Sequence, residues 1–445
     1  MRPNINLMKA TLTGALGGLL FGFDTVVISG AIDALTRLYH LSPTGKGWTV
    51  AIALIGTIIG SLAAGQVGQK LGSRETLRIT AVLYVISAVG GALAWNWPSL
   101  MVYRFIGGLG IGASSVLGPV YIAELSPAKW RGRLVGAFQF NVVLGILLAY
   151  TSNYLIRTMN LGAAEWRWQV GVAAIPAAGF LVLLFGIPRS PRWSASKSRF
   201  DEALAVLRQM GEADPEAELA DIQAALAEEH VTAHEPVFRW KYRYPLFLAI
   251  TIGAFNQLAG INAILYYLND IFQAAGFSQV SGDEQAIAIG FTNLVFTMVG
   301  MSVIDKLGRK TLLLIGAAGT ATCLGAVAWL FKTNSHAGAL VWILITYIAF
   351  FALSQGAVIW VYIGEVFPNA VRSKGQGVGN CSHWTMNAVI ALAFPVLVAS
   401  IGRSAPFTFF AIMTAVQFFT VLFFYPETKG HTLEELQRRL MPAGR

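Results

Sequence analysis

Apolar runs long enough to cross a bilayer recur twelve times along the chain, the first near residues 9–36 and the last near 405–425. Roughly 20 apolar residues span the hydrocarbon core as a helix, and the polar connections between the runs are short. The pattern predicts an all-α membrane protein of twelve transmembrane helices. One stretch departs from it. Residues 189–243 are charged and carry helix-start signals: Asp214-Pro215 ahead of "EAELADIQAALAEE", and a capping-box spacing from Ser198 to Asp201 ahead of "EALAVLRQM". The expected organisation is an N-terminal six-helix half (1–188), a cytoplasmic helical linker (189–243), a C-terminal six-helix half (244–425) and a cytoplasmic tail (426–445).

Composition agrees with a bilayer-spanning chain. Of 445 residues, 55% are hydrophobic and 12% charged, against about 25% charged in soluble domains. The net charge of +9 comes from short basic clusters between the runs, so nucleic-acid binding is not expected. Lys and Arg concentrate in loops that remain cytoplasmic, and their distribution here predicts that both termini face the cytoplasm. The first run is too long for a cleaved secretory signal. Two cysteines, both in apolar runs, give no disulfide framework. "GGLGIGAS" (107–114) looks like a dinucleotide loop but lies inside an apolar run, with no preceding strand and no acid at the expected distance. Its Gly108 and Gly112, like Gly56 and Gly60, have the spacing that lets helices approach closely. With no Walker motif, metal-ligand cluster or catalytic triad pattern, no cofactor, metal or enzymatic activity is expected.

The two halves repeat one another. "YIAELSPAKWRGR" (121–133) recurs as "YIGEVFPNAVRSK" (362–374), and "KLGSR" (70–74) as "KLGRK" (306–310). A parallel six-helix repeat of this kind implies a substrate site near the midplane between the halves.

A charged Asp at a helix centre costs about 2.5–3.5 kcal/mol on insertion scales, so such residues pair and usually serve transport. Asp24 lies in "GGLLFGFDTVVISG", and Arg104 is the one basic residue deep within a run. At a rise of about 1.5 Å per residue the two reach similar depths. Neutralising Asp24 by a proton would release it from Arg104; alternatively the pair is a permanent clasp. Asp33 and Arg37, four apart at the external end of the first run, read as an ordinary surface pair.

A ligand with both polar groups and an apolar face is gripped by amides and aromatic walls. Midspan positions supply Gln139 in the fifth run, Asn256, Gln257 and Asn262 in the seventh, and Asn293 in the eighth. Trp360 follows in the tenth, and His383, Trp384 and Asn387 in the eleventh. Each amide could equally bond helices together. His383 could contact the ligand, accept a proton or bond a neighbour. Asn256, Gln257 and Asn262 cannot share one face of an unbroken helix, and Gly260 between them permits a break.

Seven stretches in order resemble the sugar-porter family of the major facilitator superfamily: "GGLLFGFD", "YRFIGGLGIG", "ELSPAKWRGR", "NQLAGINAILYY", "DKLGRKTL", "GEVFPNAVR" and "PETKG". The resemblance implies the twelve-helix fold of that superfamily and alternating access to a monosaccharide. Bacterial proton-linked xylose and glucose symporters carry Asp at the position of Asp24, where mammalian facilitative carriers have a neutral residue. By the same resemblance Gln139, Gln257, Asn262, Asn293, Trp360 and Asn387 match sugar-contacting positions, and Tyr266 and Tyr267 match aromatics near the external gate. Arg74, Glu124, Arg131, Arg309, Glu365 and Arg372 match residues forming ion pairs at the cytoplasmic gate.

The sequence also departs from the family pattern. Asn256 and His383 stand where Gln, or Asn and Gln, are usual; Ile146 and Ala352 replace Gln and Glu of particular members; Gln69 replaces an acid and Arg189 a Glu. One charge partner in the inner gate must therefore differ. The expected function is proton-coupled monosaccharide symport across a bacterial inner membrane, with sugar, proton and lipid bilayer as partners and a single chain as the working unit. The alternatives are a facilitative uniporter, a sugar sensor without transport, which would be expected to carry a long signalling tail, and a drug/proton exporter, which the many midspan amides disfavour.

Overall fold

The computed structural model describes residues 4–127, 129–232, 235–334, 337–431 and 433–440. Small parts of the expected N-terminal half, linker, C-terminal half and tail (1–3, 128, 233–234, 335–336, 432 and 441–445) lie outside the described residues. Among those described there is no strand, and twelve helical segments are long and apolar enough to cross a membrane. In lipid every backbone polar group must be satisfied within the segment, which is why apolar runs of this length become helices. In order they are Ile5–Leu38, Pro43–Leu71, Ser73–Ala92, Trp97–Leu125, Arg131–Thr158, Gly162–Gly186, Trp240–Tyr266, Gln279–Leu307, Arg309–Thr333, Gly338–Glu365, Arg372–Ser400 and Ser404–Phe424; they are called the first to twelfth spans below. Several start where side chains satisfy the free N–H groups. Asn96 and Ser99 form a reciprocal capping box at the fourth span, and Ser278 caps the eighth. Exposed Trp95, Trp168, Trp329 and Trp342 sit near span ends, where indoles suit the membrane–water boundary.

The chain forms two compact units: residues 1–31, 52–152 and 159–234 in one, and 32–51, 153–158 and 235–445 in the other. In the first unit the second and fourth spans meet backbone to backbone. A Cβ on Gly56 would lie 2.4 Å from the Phe105 carbonyl oxygen, and one on Gly108 would lie 1.9 Å from that of Ala53. Gly60 and Gly112 are equally confined, so these glycines serve helix approach.

The linker is helical, with helices Pro191–Ser196, Phe200–Met210 and Pro215–Thr232. Ala195, Ala203, Leu207 and Ile222 give it a small core. Asp214 caps the last helix by accepting from the Ala217 N–H at 3.1 Å. The Ser198–Asp201 capping box does not form. Ser198 is at φ 60°, Arg199 occupies the cap position and the Ser194–Arg199 backbone bond closes the preceding turn instead.

In the second unit, Leu248, Ile252, Leu312, Val358, Tyr362, Phe367 and Tyr425 anchor a core linking the seventh, ninth, tenth and twelfth spans. The seventh span breaks after Leu258. Gly260 is at φ 82°, and helix resumes at Ile261. The Ala259 carbonyl freed at the break accepts from the Tyr347 hydroxyl at 2.7 Å, which keeps a buried acceptor from going unpaired.

Candidate functional site

In the first unit Asp24 lies midway along the first span, half-buried, and the charge of Arg104 acts on it. Arg104 itself is 6% exposed. Around the carboxylate the chain supplies small and hydroxylated residues. A Cβ on Gly107 would sit 2.4 Å from Ser87 Oγ and 3.4 Å from an Asp24 carboxylate oxygen. The Tyr84 hydroxyl, 2.8 Å from Ser114 Oγ, also feels the Asp24 charge. Gln139 is half-buried in the fifth span.

In the second unit the broken seventh span brings its three amides together. Asn262 Nδ2 donates to Gln257 Oε1 at 3.1 Å, and Gln257 Nε2 donates to Asn256 Oδ1 at 3.0 Å. Gln257 Nε2 also lies 3.2 Å from His383 Nε2. An amide nitrogen can only donate, so the His383 nitrogen facing it is an acceptor and carries no proton. Trp360 and Trp384 flank the imidazole, each with its centroid 5.0 Å away. Trp384 is buried and Trp360 is 40% exposed. Asn387 exchanges hydrogen bonds with the Tyr266 hydroxyl at 3.1 and 3.2 Å, and Tyr267 donates to the Ala391 carbonyl while stacking on Phe394. Asn293 is 7% exposed and lies apart from this chain of bonds, 3.5 Å from Thr297.

The cytoplasmic-gate candidates form two clusters, one in each unit. In the second, Arg309 makes a two-pronged contact with Glu365, Nη2 to Oε1 at 2.8 Å and Nε to Oε2 at 3.2 Å, and also reaches Asp305. Thr428 donates to Glu365 at 2.6 Å, and Arg372 donates to the Phe367 carbonyl. In the first, Glu124 accepts from Ser73 Oγ at 3.0 Å. Arg74 bonds the Ile187 carbonyl and Glu75, and Arg131 bonds the Ala123 carbonyl with Glu218 3.8 Å away.

Several residues were missed in the sequence. Glu75 gathers Arg74, Arg78 and Arg189 at 2.6, 2.9 and 3.6 Å, which supplies the altered charge partner that Arg189 required. Glu427, from the "PETKG" stretch, accepts from the N–H groups of Arg309 and Lys310 at 2.9 and 3.0 Å. Gln355, 2% exposed in a π-helical turn at Ala352–Gly356 of the tenth span, has neither amide atom bonded among the described residues. Asp33 is no surface pair with Arg37. It meets Lys46, Asp270 and Gln273 instead. Acids at the ends of apolar runs were the available signal for Asp33, Asp270 and Asp283, whereas Asp24 was marked by its place in the middle of one. Among the described residues no group of His, Cys, Asp and Glu could hold a metal ion.

Twelve apolar spans, a charged pair in one unit and an amide–aromatic cluster in the other define a membrane transporter rather than an enzyme. A family model described as "Sugar (and other) transporter" matches residues 10–440. The arabinose-proton symporter of Bacillus subtilis (strain 168) is 35% identical, the match covering 98% of each chain. The D-xylose-proton symporter of Escherichia coli (strain K12) is also 35% identical, over 97% of this chain and 95% of that one. The inward-open structure of the xylose transporter XylE from E. coli matches with a TM-score of 0.87 at 34% identity, over 98% of this chain and 100% of that one. The chain belongs to the sugar transporter family, with the major facilitator fold.

Proposed function

We propose that this protein is a proton-coupled symporter of a monosaccharide, a hexose or pentose of the glucose or xylose kind, working by alternating access. The observation that carries the reading is the Asp24 carboxylate, set midway along an apolar span under the charge of buried Arg104. The relatives named as arabinose-proton and D-xylose-proton symporters support it.

Protonation removes the negative charge of Asp24 and with it the attraction to Arg104, so the first and fourth spans are released from one another. An opposite charge favours the ionised acid while burial disfavours it. A site balanced in this way changes state when a proton arrives. In the second unit Asn256, Gln257, Asn262, Asn293 and Asn387 offer donors and acceptors to sugar hydroxyls; in the first unit Gln139 offers the same chemistry. Trp360 and Trp384 cover the apolar sugar face. His383 holds Gln257 in place as a neutral acceptor. Tyr266 and Tyr267 guard the external side; Arg74, Glu124, Arg131, Arg309, Glu365 and Arg372 guard the cytoplasmic side. We place the protein in a bacterial inner membrane, both termini in the cytoplasm, with one chain as the functional unit surrounded by lipid.

Purified protein in liposomes containing a pH-sensitive dye tests the reading. External xylose, arabinose or glucose, added without an imposed gradient, is expected to acidify the lumen as it enters. Sugar equilibration with no change in luminal pH identifies a uniporter. Absence of uptake for every sugar removes the sugar reading altogether.

A further inference from the structure

Within the second unit, the segment 32–51 from the first two spans and the segment 153–158 from the fifth pack with the C-terminal spans. Two polar arms hold them. In one, Lys46 Nζ lies 2.8 Å from Asp270 and 3.4 Å from Asp33, so two carboxyl groups converge on one ammonium, and Gln273 donates to Asp33. In the other, Arg157 contacts Asp283, which is 2% exposed at its side chain, and Gln279 at 3.3 Å. Asn269 donates to Asp283 at 2.7 Å.

The two arms differ in one physical respect. The Arg157 arm pairs one guanidinium with one carboxyl group, so it needs no added proton to balance its charge and is the permanent arm of the two. The Lys46 arm contains two carboxyl groups and one ammonium. Two ionised carboxylates gathered on one ammonium repel each other, and a proton on one of them relieves that repulsion. With that proton the arm is neutral; without it, a net negative charge remains among side chains only 17–22% exposed.

We propose that Asp33, Asp270 and Lys46 form a proton-dependent latch that ties the outer ends of the first and second spans to the segment following the seventh. The word "outer" rests on the transport reading above. In alternating access these ends must part for sugar to enter from outside, so closing the latch takes up an external proton at a site separate from Asp24. Asp270 follows the seventh span, which ends at Tyr266. Burial and the neighbouring Asp33 push its carboxyl up to about 8, against the pull of Lys46. The other charged groups around the arm are Arg37 on the first span, Arg157 on the fifth, Asp283 and Glu284 on the eighth, and Arg403, which bonds the Ala274 carbonyl.

The sign follows from linkage. A carboxyl whose closed-state pKa is raised stabilises the closed form fully at low pH and loses that stabilisation as pH rises toward about 8. Between an opened-state pKa of about 4 and that value, the ratio of closed to open falls by up to tenfold per pH unit.

Spin labels on Leu38→Cys and Val280→Cys, both exposed positions in this unit, would read the latch directly in the full-length protein. Cys323→Ser, Cys381→Ser and Asp24→Asn complete the background, the last so that Asp24 cannot contribute. Distances are measured from pH 6 to 8, with and without Arg157→Gln, which removes the permanent arm and brings the opened state into range. The expected result is a short-distance population that shrinks as pH rises and becomes pH-independent in Asp270→Asn, which keeps a neutral hydrogen-bonding group. A flat profile with and without Arg157→Gln overturns the latch, as does an Asp270→Asn profile that still follows pH. The readout needs no sugar, so it stands or falls separately from the transport assay.

Discussion

The two units turn the same corner in their charged gate-candidate clusters with different chemistry. Between the second and third spans Gly72 is at φ 91° and ψ 153°; between the eighth and ninth Gly308 is at φ 90° and ψ 160°. The residue after each glycine reaches the matched glutamate of the repeat. In the first unit it is Ser73, a hydroxyl 3.0 Å from Glu124; in the second it is Arg309, a guanidinium 2.8 Å from Glu365. The next layer differs as well. A Cβ on Gly308 would meet the Glu427 carboxylate at 2.5 Å, whereas one on Gly72 would meet the Trp193 ring at 3.1 Å. Arg189, which stands where the family usually has Glu, stacks over that ring and turns to Glu75. The backbone of the repeat is thus kept while its charges are redistributed. The first unit has a neutral hydroxyl in the cation's place and a cation in the anion's place, with Glu75 as the new centre. A fork-shaped Arg–carboxylate contact is stronger and more directional than a hydroxyl–carboxylate bond, so the Arg309–Glu365 contact is stiffer than the Ser73–Glu124 contact.

Breaking the ion pair should have the largest effect. Glu365→Ala leaves a guanidinium that is only 11% exposed with the exposed Asp305 as its remaining carboxylate. Losing one partner of a fully buried pair costs about 3–5 kcal/mol, and the partial exposure of Glu365 reduces this to about 2. Ser73→Ala, the corresponding break in the first unit, should cost about 1 kcal/mol. Unfolding of detergent-solubilised protein in an SDS series would compare them; equal losses would erase the contrast.

Glu427 should give a smaller, pH-dependent effect. Burial works to raise its carboxyl, but the backbone N–H groups of Lys429, Arg309, Lys310 and Thr428 outweigh it and hold the group below the ordinary value. Its stabilisation is therefore present at neutral pH and is lost as pH falls through the depressed value. Glu427→Gln should lose about 1 kcal/mol at pH 7, as for a charge-assisted cap. The gap to wild type should narrow toward pH 4, and a gap that stays constant with pH would contradict the assignment.

The smallest effect sharpens the comparison by restoring the repeat. Ser73→Arg, at a position 6% exposed, and Arg189→Glu, which sets a carboxylate beside Glu75, should each destabilise alone. Together they should couple favourably by about 0.5–1 kcal/mol in a double-mutant cycle, the size found for neighbouring charges. Strict additivity would mean that the redistribution in the first unit is not a linked one.

Much of this architecture was legible from pattern alone. Runs of apolar residues located the twelve spans because lipid leaves the backbone no alternative to helix. Gly260 was readable as a break because three amides could not otherwise converge, and Gly56, Gly60, Gly108 and Gly112 as close-approach sites from their spacing. The matched glutamates of the repeat were visible; their different partners were not. Whether Ser73 or Arg74 faces Glu124 depends on a helix start shifted by one residue, which periodicity does not resolve. The Ser198 capping box failed because the preceding turn closed through Arg199 instead. The Lys46–Asp33–Asp270 arm escaped notice because its members are far apart in the chain, and only the folded second unit brings them into contact.

The central claim is that Asp24 couples sugar movement to a proton gradient. The direct test is sugar uptake by proteoliposomes of wild type and Asp24→Asn, under an inward proton gradient and in counterflow. Wild type should accumulate sugar several-fold above the external level, while Asp24→Asn should exchange sugar in counterflow yet never exceed equilibrium. Accumulation by Asp24→Asn equal to that of wild type would contradict the account.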